Sequence, residues 1–309
     1  MATSVRFAEL HFHLEGAIDP EVLLEIRPSL GREEIQSRYE FNDFRGFLEA
    51  FKWAVLQLEE VEHFRLLARH AFRKMADAGI VYAEVIHSAG ICIWRKQDAK
   101  AILEALIEEG HNAPLEIRWI IDGVRQLGPA HVMSVAKLAA EFRGTSLRGF
   151  GVGGDESSTP AELLKPAFDL AREQGFHLTP HAGETSTAQN VWEALYLGAD
   201  RIGHGIRSVD DPLLVSELTR RRIPLEISLS SNVMTGAVAS IEEHPARKLY
   251  EAGVPIVLNT DDPAFFRTSL AREFELAQTK LGFTVSDLEQ IRQNAFDFAV
   301  PQAKAFSID

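Results

Sequence analysis

Short apolar or alternating runs recur along this chain, each followed by a stretch with helical spacing. That rhythm restricts the fold more than any single residue does. The runs are Phe7–His13, Val81–His87, Leu115–Asp122, Leu147–Gly153, His177–His181, Arg201–His204, Pro224–Leu229 and Pro255–Thr260. Between them lie helical patterns such as Val61–Ala78, Ala99–Glu109, Ala161–Gln174, Ala188–Leu197, Pro212–Arg221 and Ala246–Ala252. Several patterns end at a glycine, in the strings DAGI, EQGF, YLGAD and EAGVP. Glycine takes the left-handed conformation of a helix C-terminus at little cost. Strand then helix, repeated eight times, predicts parallel βα units. Eight such units close into a (β/α)8 TIM barrel; the competing arrangement is an open doubly wound sheet. Residues 1–309 read as one barrel domain. Two pieces stand outside the repeat. Residues 14–56 form a helical excursion after the first strand, in which Asp43–Val55 sets Phe44, Phe47, Leu48 and Phe51 at helical spacing. That face suits either core packing or an apolar lid over the barrel mouth. Ser286–Val300 reads as a closing helix.

Composition limits the chemistry. With 32 Lys+Arg against 45 Asp+Glu, the net charge is −13, which argues against a nucleic-acid partner. A single cysteine, Cys92, excludes an intramolecular disulfide and any all-cysteine metal site. A metal must therefore sit on histidines and carboxylates, and 11 His are available. Cys92 has no activating group beside it in sequence and reads as inert. No apolar run reaches the ~18 residues of a membrane span, and the first residues lack the basic start and apolar core of a signal peptide. The expected location is the cytoplasm.

In barrels of this kind the active groups sit at the C-terminal ends of the strands, and here those ends are polar. The first run ends in His11-Phe12-His13, whose alternation puts both imidazoles on one face. The fifth ends in His181-Ala182-Gly183-Glu184, the sixth in Gly203-His204-Gly205 and the eighth in Asn259-Thr260-Asp261-Asp262-Pro263. Each signal is weak alone. Together they gather four His, Glu184, Asp261 and Asp262 at one rim, and a packed core would not collect unpaired charge there. Three His and a carboxylate suit a divalent metal of the zinc class. An open position on it would hold a water of lowered pKa. Glu184 is then a candidate proton donor, and His204 a candidate to orient or deprotonate the water. The Gly151–Glu156 string GVGGDE lacks the spacing and the Lys of a phosphate loop. It suits close ligand approach or a tight turn. Ser230-Ser231-Asn232 reads as a turn or cap.

These residues resemble the adenosine deaminase family of metal-dependent hydrolases. The matching strings are ELHFHLEGAI (9–18), YAEV (82–85), GGDE (153–156), HAGE (181–184), RIGHG (201–205), SSNVMTG (230–236) and NTDDPAFF (259–266), in family order. The resemblance implies a (β/α)8 barrel with one Zn2+ per chain at its mouth. It implies His11, His13, His181 and Asp261 as metal ligands, with Glu184 as the acid that protonates purine N1. His204 and Asp261 would position the attacking water and accept its proton. Asp262 would bond purine N7, and the Gly154 backbone N–H would face N3. Glu15 stands where adenosine-specific members usually place Asp against the ribose 5′ oxygen. The family's Cys-Pro is Ser228-Leu229 here, and the second run continues as Ile86-His87-Ser88-Ala89.

The expected reaction is hydrolytic deamination of a 6-aminopurine nucleoside, adenosine or a 5′-modified relative such as aminodeoxyfutalosine. The benzoate of the latter would want a cation near the lid, with Arg45, Lys52 and Arg95 as candidates. The expected partner is that small molecule alone, without nucleic acid or membrane; the sequence gives no oligomeric state. The alternatives are an adenine deaminase, a binuclear amidohydrolase, and a non-catalytic nucleoside-binding barrel. The binuclear reading wants a Lys at the fourth strand end, where this chain has Gly-Gly-Asp-Glu. The non-catalytic one would be expected to have lost Glu184 or a ligand.

Overall fold

The computed structural model describes residues 6–41 and 44–300. Strands β1 (Phe7–His13), β2 (Ile80–His87), β3 (Glu116–Val124), β4 (Leu147–Gly153) and β5 (His177–Leu178) form one parallel ladder in that order. Strands β6 (His181–Ala182), β7 (Ile202–His204), β8 (Leu225–Ile227) and β9 (Ile256–Leu258) form a second parallel ladder. The run expected as one strand over 177–181 is thus broken in two, because Pro180 has no N–H to give the ladder. Backbone bonds carry the pairing across the break. Thr179 N donates to Phe150 O, and Pro180 O accepts from Gly203 N, each at 3.0 Å.

The seam between β9 and β1 closes through Asp261. Its carbonyl accepts from His13 N at 2.9 Å, and its N–H donates to His11 O at 3.2 Å. Two buried side chains reinforce that seam. Asn259 Oδ1 accepts from Leu10 N and His11 N, and Glu9 Oε1 accepts from Thr260 N at 2.8 Å. The ring holds the eight expected barrel strands, wrapped by helices, and it is the TIM barrel the sequence predicts.

The helices bury their apolar faces on the ring. In helix Val61–Asp77 the buried set is Phe64, Leu67, Ala68, Ala71, Phe72 and Met75, the i, i+3, i+4 stripe that a core-facing helix requires. The closing helix is Val285–Asp297, buried through Ile291, Asn294 and Ala295. The excursion after β1 resolves into the 3-10 turn Glu15–Ala17 and the helices Pro20–Ile26, Arg32–Arg38 and Phe44–Leu56. Asn42 and Asp43, at its centre, and residues 1–5 and 301–309 of the expected domain lie outside the described residues, as does the side chain of Phe44.

The apolar face of helix Phe44–Leu56 packs on its neighbours and borders the barrel mouth. Phe47 is buried, with its ring 4.8 Å from that of Phe266 and 5.9 Å from that of Phe265. Phe47, Leu48 and Phe51 also line the cavity at the barrel mouth. Among the described residues, no helix is long and apolar enough to cross a membrane.

Candidate active site

The strand ends deliver their polar groups to one point. His11, His181, His204 and Asp261 each present a ligand-type atom within 4.8 Å of the others. His13 joins them: its Nε2 lies 3.1 Å from His181 Nε2 and 3.3 Å from Asp261 Oδ1. Asp261 Oδ1 also lies 3.4 Å from His11 Nε2. Two of these residues sit on strained backbone, His204 at φ 62° and Asp261 at φ 64°. The left-handed conformation costs a non-glycine residue about 1 kcal/mol or more, and the surrounding barrel must hold it.

The donor set fits a cation. The Nδ1 of His11 is 2.7 Å from Glu226 Oε2, and that of His181 is 3.2 Å from Val152 O. Each acceptor places the ring proton on Nδ1 and leaves the Nε2 lone pair aimed at the common point, the outer-sphere pattern of histidine ligands. The buried Nε2 of His11 has no hydrogen-bond partner. Burial holds His181 well below its usual pKa, so it stays a neutral lone-pair donor. Burial also works against the Asp261 charge, but the histidines close around it, His11, His204 and His13, hold that carboxyl well below the usual range. An ionised carboxylate among inward-facing imidazoles is a ligand set of the zinc class. His11, His13, His181, His204 and Asp261 are the residues that could hold the ion.

Glu184 lies beside that point, its Oε2 3.6 Å from His204 Nε2. Its Oε1 accepts from Asn232 Nδ2 and from Thr235 Oγ1, both at 3.1 Å. Burial raises its pKa above the ordinary carboxyl value, which favours the acid form. The loop carrying it is pinned by Glu156, which accepts from the N–H groups of Gly183 (2.5 Å), Glu184 (3.0 Å) and Thr185 (3.3 Å). Gly183 has φ +68°, and a Cβ there would collide with Val191, so the bend that presents Glu184 needs glycine.

These groups open into a cavity of about 470 Å³, which Gly154 and Asp262 also line. Asp262 Oδ1 is buried without a partner, and burial together with the Asp261 charge raises its pKa well above the ordinary value. Glu15 sits one layer behind the wall. Its carboxylate accepts from His87 Nδ1 at 2.8 Å and Ser88 N at 3.2 Å, and it is Ser88 that faces the cavity.

Matches to known proteins agree with this geometry. The family model described as "Adenosine deaminase" matches residues 7–305. The chain belongs to the adenosine deaminase family. It is therefore an enzyme, a hydrolase that cleaves C–N bonds. An adenine deaminase of Sinorhizobium fredii is 36% identical over 97% of this chain and 95% of its own length. An aminodeoxyfutalosine deaminase of Streptomyces coelicolor is 35% identical over 94% and 79%. The crystal structure of an amidohydrolase from Burkholderia ambifaria, with bound Zn, superposes with a TM-score of 0.86 at 26% identity, covering 97% of this chain and 86% of its own.

Within this deaminase, three sequence expectations change. Ser230–Asn232 is not a turn but part of helix Leu229–Met234, and it reaches the site: Ser231 Oγ donates to Asp261 Oδ2 at 2.7 Å. Cys92 is not isolated, since its Sγ lies 3.8 Å from His87 Nε2. Arg95 is not a free cation at the lid; its guanidinium donates to the carbonyls of Val55, Leu56 and Leu58. Arg45 pairs on the surface with Glu49, and Lys52 borders a second apolar cavity next to the first.

Sequence reading missed Glu226, Arg201, Glu156, Asn232, Thr235 and His244. Glu226 left a signal, an acid inside the otherwise apolar run Pro224–Leu229. Glu156, Arg201, Asn232 and Thr235 stand inside the strings GGDE, RIGHG and SSNVMTG, but those strings do not name their partners, and His244 left no signal.

Proposed function

We propose that this deaminase hydrolyses the 6-amino group of a 6-aminopurine nucleoside, adenosine-like and open to 5′ extension, with one Zn2+ per chain. The observation that carries this reading is the Glu184 carboxyl, set 3.6 Å from His204 at the edge of the inward-facing ligand set. The ion, when bound, lowers the pKa of water and polarises it for attack. The chain's own residues do the rest. Glu184 has Oε1 occupied by two donors, so its acid proton belongs on Oε2, the oxygen free to face the substrate. Protonation at N1 draws electrons from C6. The water oxygen then bonds to C6 as Asp261 takes up one of its protons; Asp261 passes that proton to the departing amino group, the C6–N bond breaks with ammonia leaving, and the second water proton returns to Glu184 as the 6-oxo group forms. Asp262, a carboxyl that lines the cavity, meets N7, and Gly154 meets N3. Glu15 supports the wall through Ser88.

The 470 Å³ cavity is several times the volume of a purine ring system and falls in the range that encloses whole small ligands. That favours a nucleoside over a bare base. Phe47, Leu48 and Phe51 form its apolar side, where a 5′ substituent would lie. Adenine itself is the second reading, since the relatives of comparable identity include an adenine deaminase. Loss of adenine-type ultraviolet absorbance should be followed with adenosine, deoxyadenosine, adenine, methylthioadenosine and aminodeoxyfutalosine. Turnover of a nucleoside well above adenine is expected. Turnover of adenine alone would establish the second reading, and no turnover by zinc-loaded protein would overturn both.

A further inference from the structure

A chain of hydrogen bonds behind the site has only one self-consistent direction, and it begins at a backbone N–H. The amide of Ala246 lies 3.1 Å from His244 Nδ1. A backbone N–H only donates, so His244 Nδ1 is an acceptor and the proton of the neutral ring sits on Nε2. Burial holds His244 far below its usual pKa, at about 3, which keeps the ring neutral. Its Nε2–H meets Asn232 Oδ1 at 3.1 Å. That contact fixes which way round the Asn232 amide lies. Its NH2 group must then face the site, where it donates to His204 Nδ1 and to Glu184 Oε1, each at 3.1 Å. An amide NH2 cannot accept, so His204 Nδ1 is an acceptor too, and the proton of neutral His204 lies on Nε2. Asn232, His204 and His244 are all buried, so water does not compete for these bonds.

We propose that His244 and Asn232 are positioning residues that set the tautomer of His204 and aim Glu184 with the same amide. His204 then presents Nε2–H to the reacting centre, as a donor that orients the water oxygen. The water's proton goes to Asp261, which Ser231 holds in place by a hydrogen bond to Oδ2. Sequence reading left His204 free either to orient or to deprotonate the water, and the relay assigns it the first role. Neither His244 nor Asn232 touches the cavity, so neither is a catalytic residue. The inference rests on the proposed deamination for its consequence in rate, but the tautomer itself does not depend on the substrate.

Two-bond 1H–15N spectra of histidine-labelled, zinc-loaded protein separate pyrrole-type from pyridine-type ring nitrogens, with His204 assigned by the signal lost in His204→Gln. The expected spectrum has Nδ1 of pyridine type and Nε2 of pyrrole type at both His204 and His244. The opposite assignment at His204 would overturn the proposal whatever the substrate proves to be. In His244→Phe, His204 should lose its single tautomer, and kcat on the panel substrate turned over fastest by wild type should fall roughly 10- to 100-fold. KM and zinc content should stay close to wild type. His244→Gln, which keeps an N–H donor toward Asn232, should restore kcat to within about threefold of wild type. A loss of kcat in His244→Phe with the His204 signals unchanged would mean a merely structural role and would also overturn the proposal. Asn232→Asp covers the case in which His244→Phe does not fold. A carboxylate there accepts from His204 Nδ1 and should move the proton off Nε2; unchanged His204 signals would count against the relay.

Discussion

Glu226 holds His11 by a 2.7 Å hydrogen bond to Nδ1, and Arg201 in turn holds Glu226 at 2.5 Å. Arg201 also pairs with Glu84 and donates to Phe298 O at 2.9 Å, all inside the barrel. One cation thus compensates two buried carboxylates, and one of those carboxylates fixes a candidate metal ligand. Two variants should separate the roles. Glu226→Gln keeps a hydrogen-bonding group but removes the charge behind His11. Zinc affinity should fall by about 10- to 100-fold, as for other changes behind a histidine ligand, with little loss of fold. Arg201→Met strands both carboxylates and should cost about 3–5 kcal/mol of stability. Competitive chelator titration and denaturant melts measure the two. Unaltered zinc affinity in Glu226→Gln would remove His11 from the ligand set.

Removal of zinc by a chelator should abolish turnover, and restored zinc should recover it with about one equivalent per chain. Two equivalents would revive the binuclear alternative. Ala at His13 or His181 should lose the ion while leaving the barrel folded, because both rings lie at the mouth and not in the layers below.

Glu184→Gln should keep zinc and the fold yet lower turnover by about 10²–10⁴-fold, the usual loss on removing a positioned acid. The acid must be protonated to act, so wild-type kcat/KM should fall as pH rises through its raised pKa. Near wild-type turnover in the variant would refute the role.

The residues that would meet metal and substrate were legible in the sequence because they sit at the ends of runs, where a strand must stop and expose polar groups. HAGE and TDDP show this: the barrel rule alone places Glu184, Asp261 and Asp262 at one mouth. The layer behind was not legible. Glu226 reaches His11 across 215 positions, and Arg201 reaches Glu84 across 117. No local period encodes such pairs. Asn232 was misread because a Ser-Ser-Asn string has strong turn propensity, while here the barrel end overrides it and forms a helix that buries the amide. The break of the fifth strand at Pro180 was visible as a residue but not as a consequence.

Asp122 gives a pH-dependent stability with a definite sign. It is buried, with Oδ1 unpartnered, and burial together with the Glu15 charge raises its pKa to about 7 from 3.8. The folded state binds the proton more tightly than the unfolded one. The stability contributed is therefore fully present below about pH 4 and is lost as pH rises through about 7, by roughly 4 kcal/mol at most. Asp122→Asn lacks this titration. Its stability relative to wild type should improve between pH 5 and 8 and then level off, which denaturant midpoints at several pH values would reveal. A constant difference across that range would show that Asp122 is ionised in the fold.

Arg95 ties helix Phe44–Leu56 to the barrel. Its guanidinium donates to Val55 O at 3.0 Å, Leu58 O at 2.8 Å and Leu56 O at 3.2 Å, and Gln97 adds a bond to Leu58 O. Val55 and Leu56 are the last residues of helix Phe44–Leu56 and Leu58 follows it, and a helix end leaves such carbonyls without partners of its own. Charge-assisted bonds of this kind contribute about 1.5–3 kcal/mol each where water is excluded, and less here, where Arg95 is partly exposed. Arg95→Ala should let the helix detach more often while leaving the barrel intact. Because Phe47 and Phe51 line the substrate cavity from that helix, KM should rise by up to roughly tenfold with kcat little changed, the pattern of lost uniform binding. Amide exchange over 44–56 should quicken in parallel. Faster exchange with an unchanged KM would show that the helix covers the cavity without contributing to substrate binding.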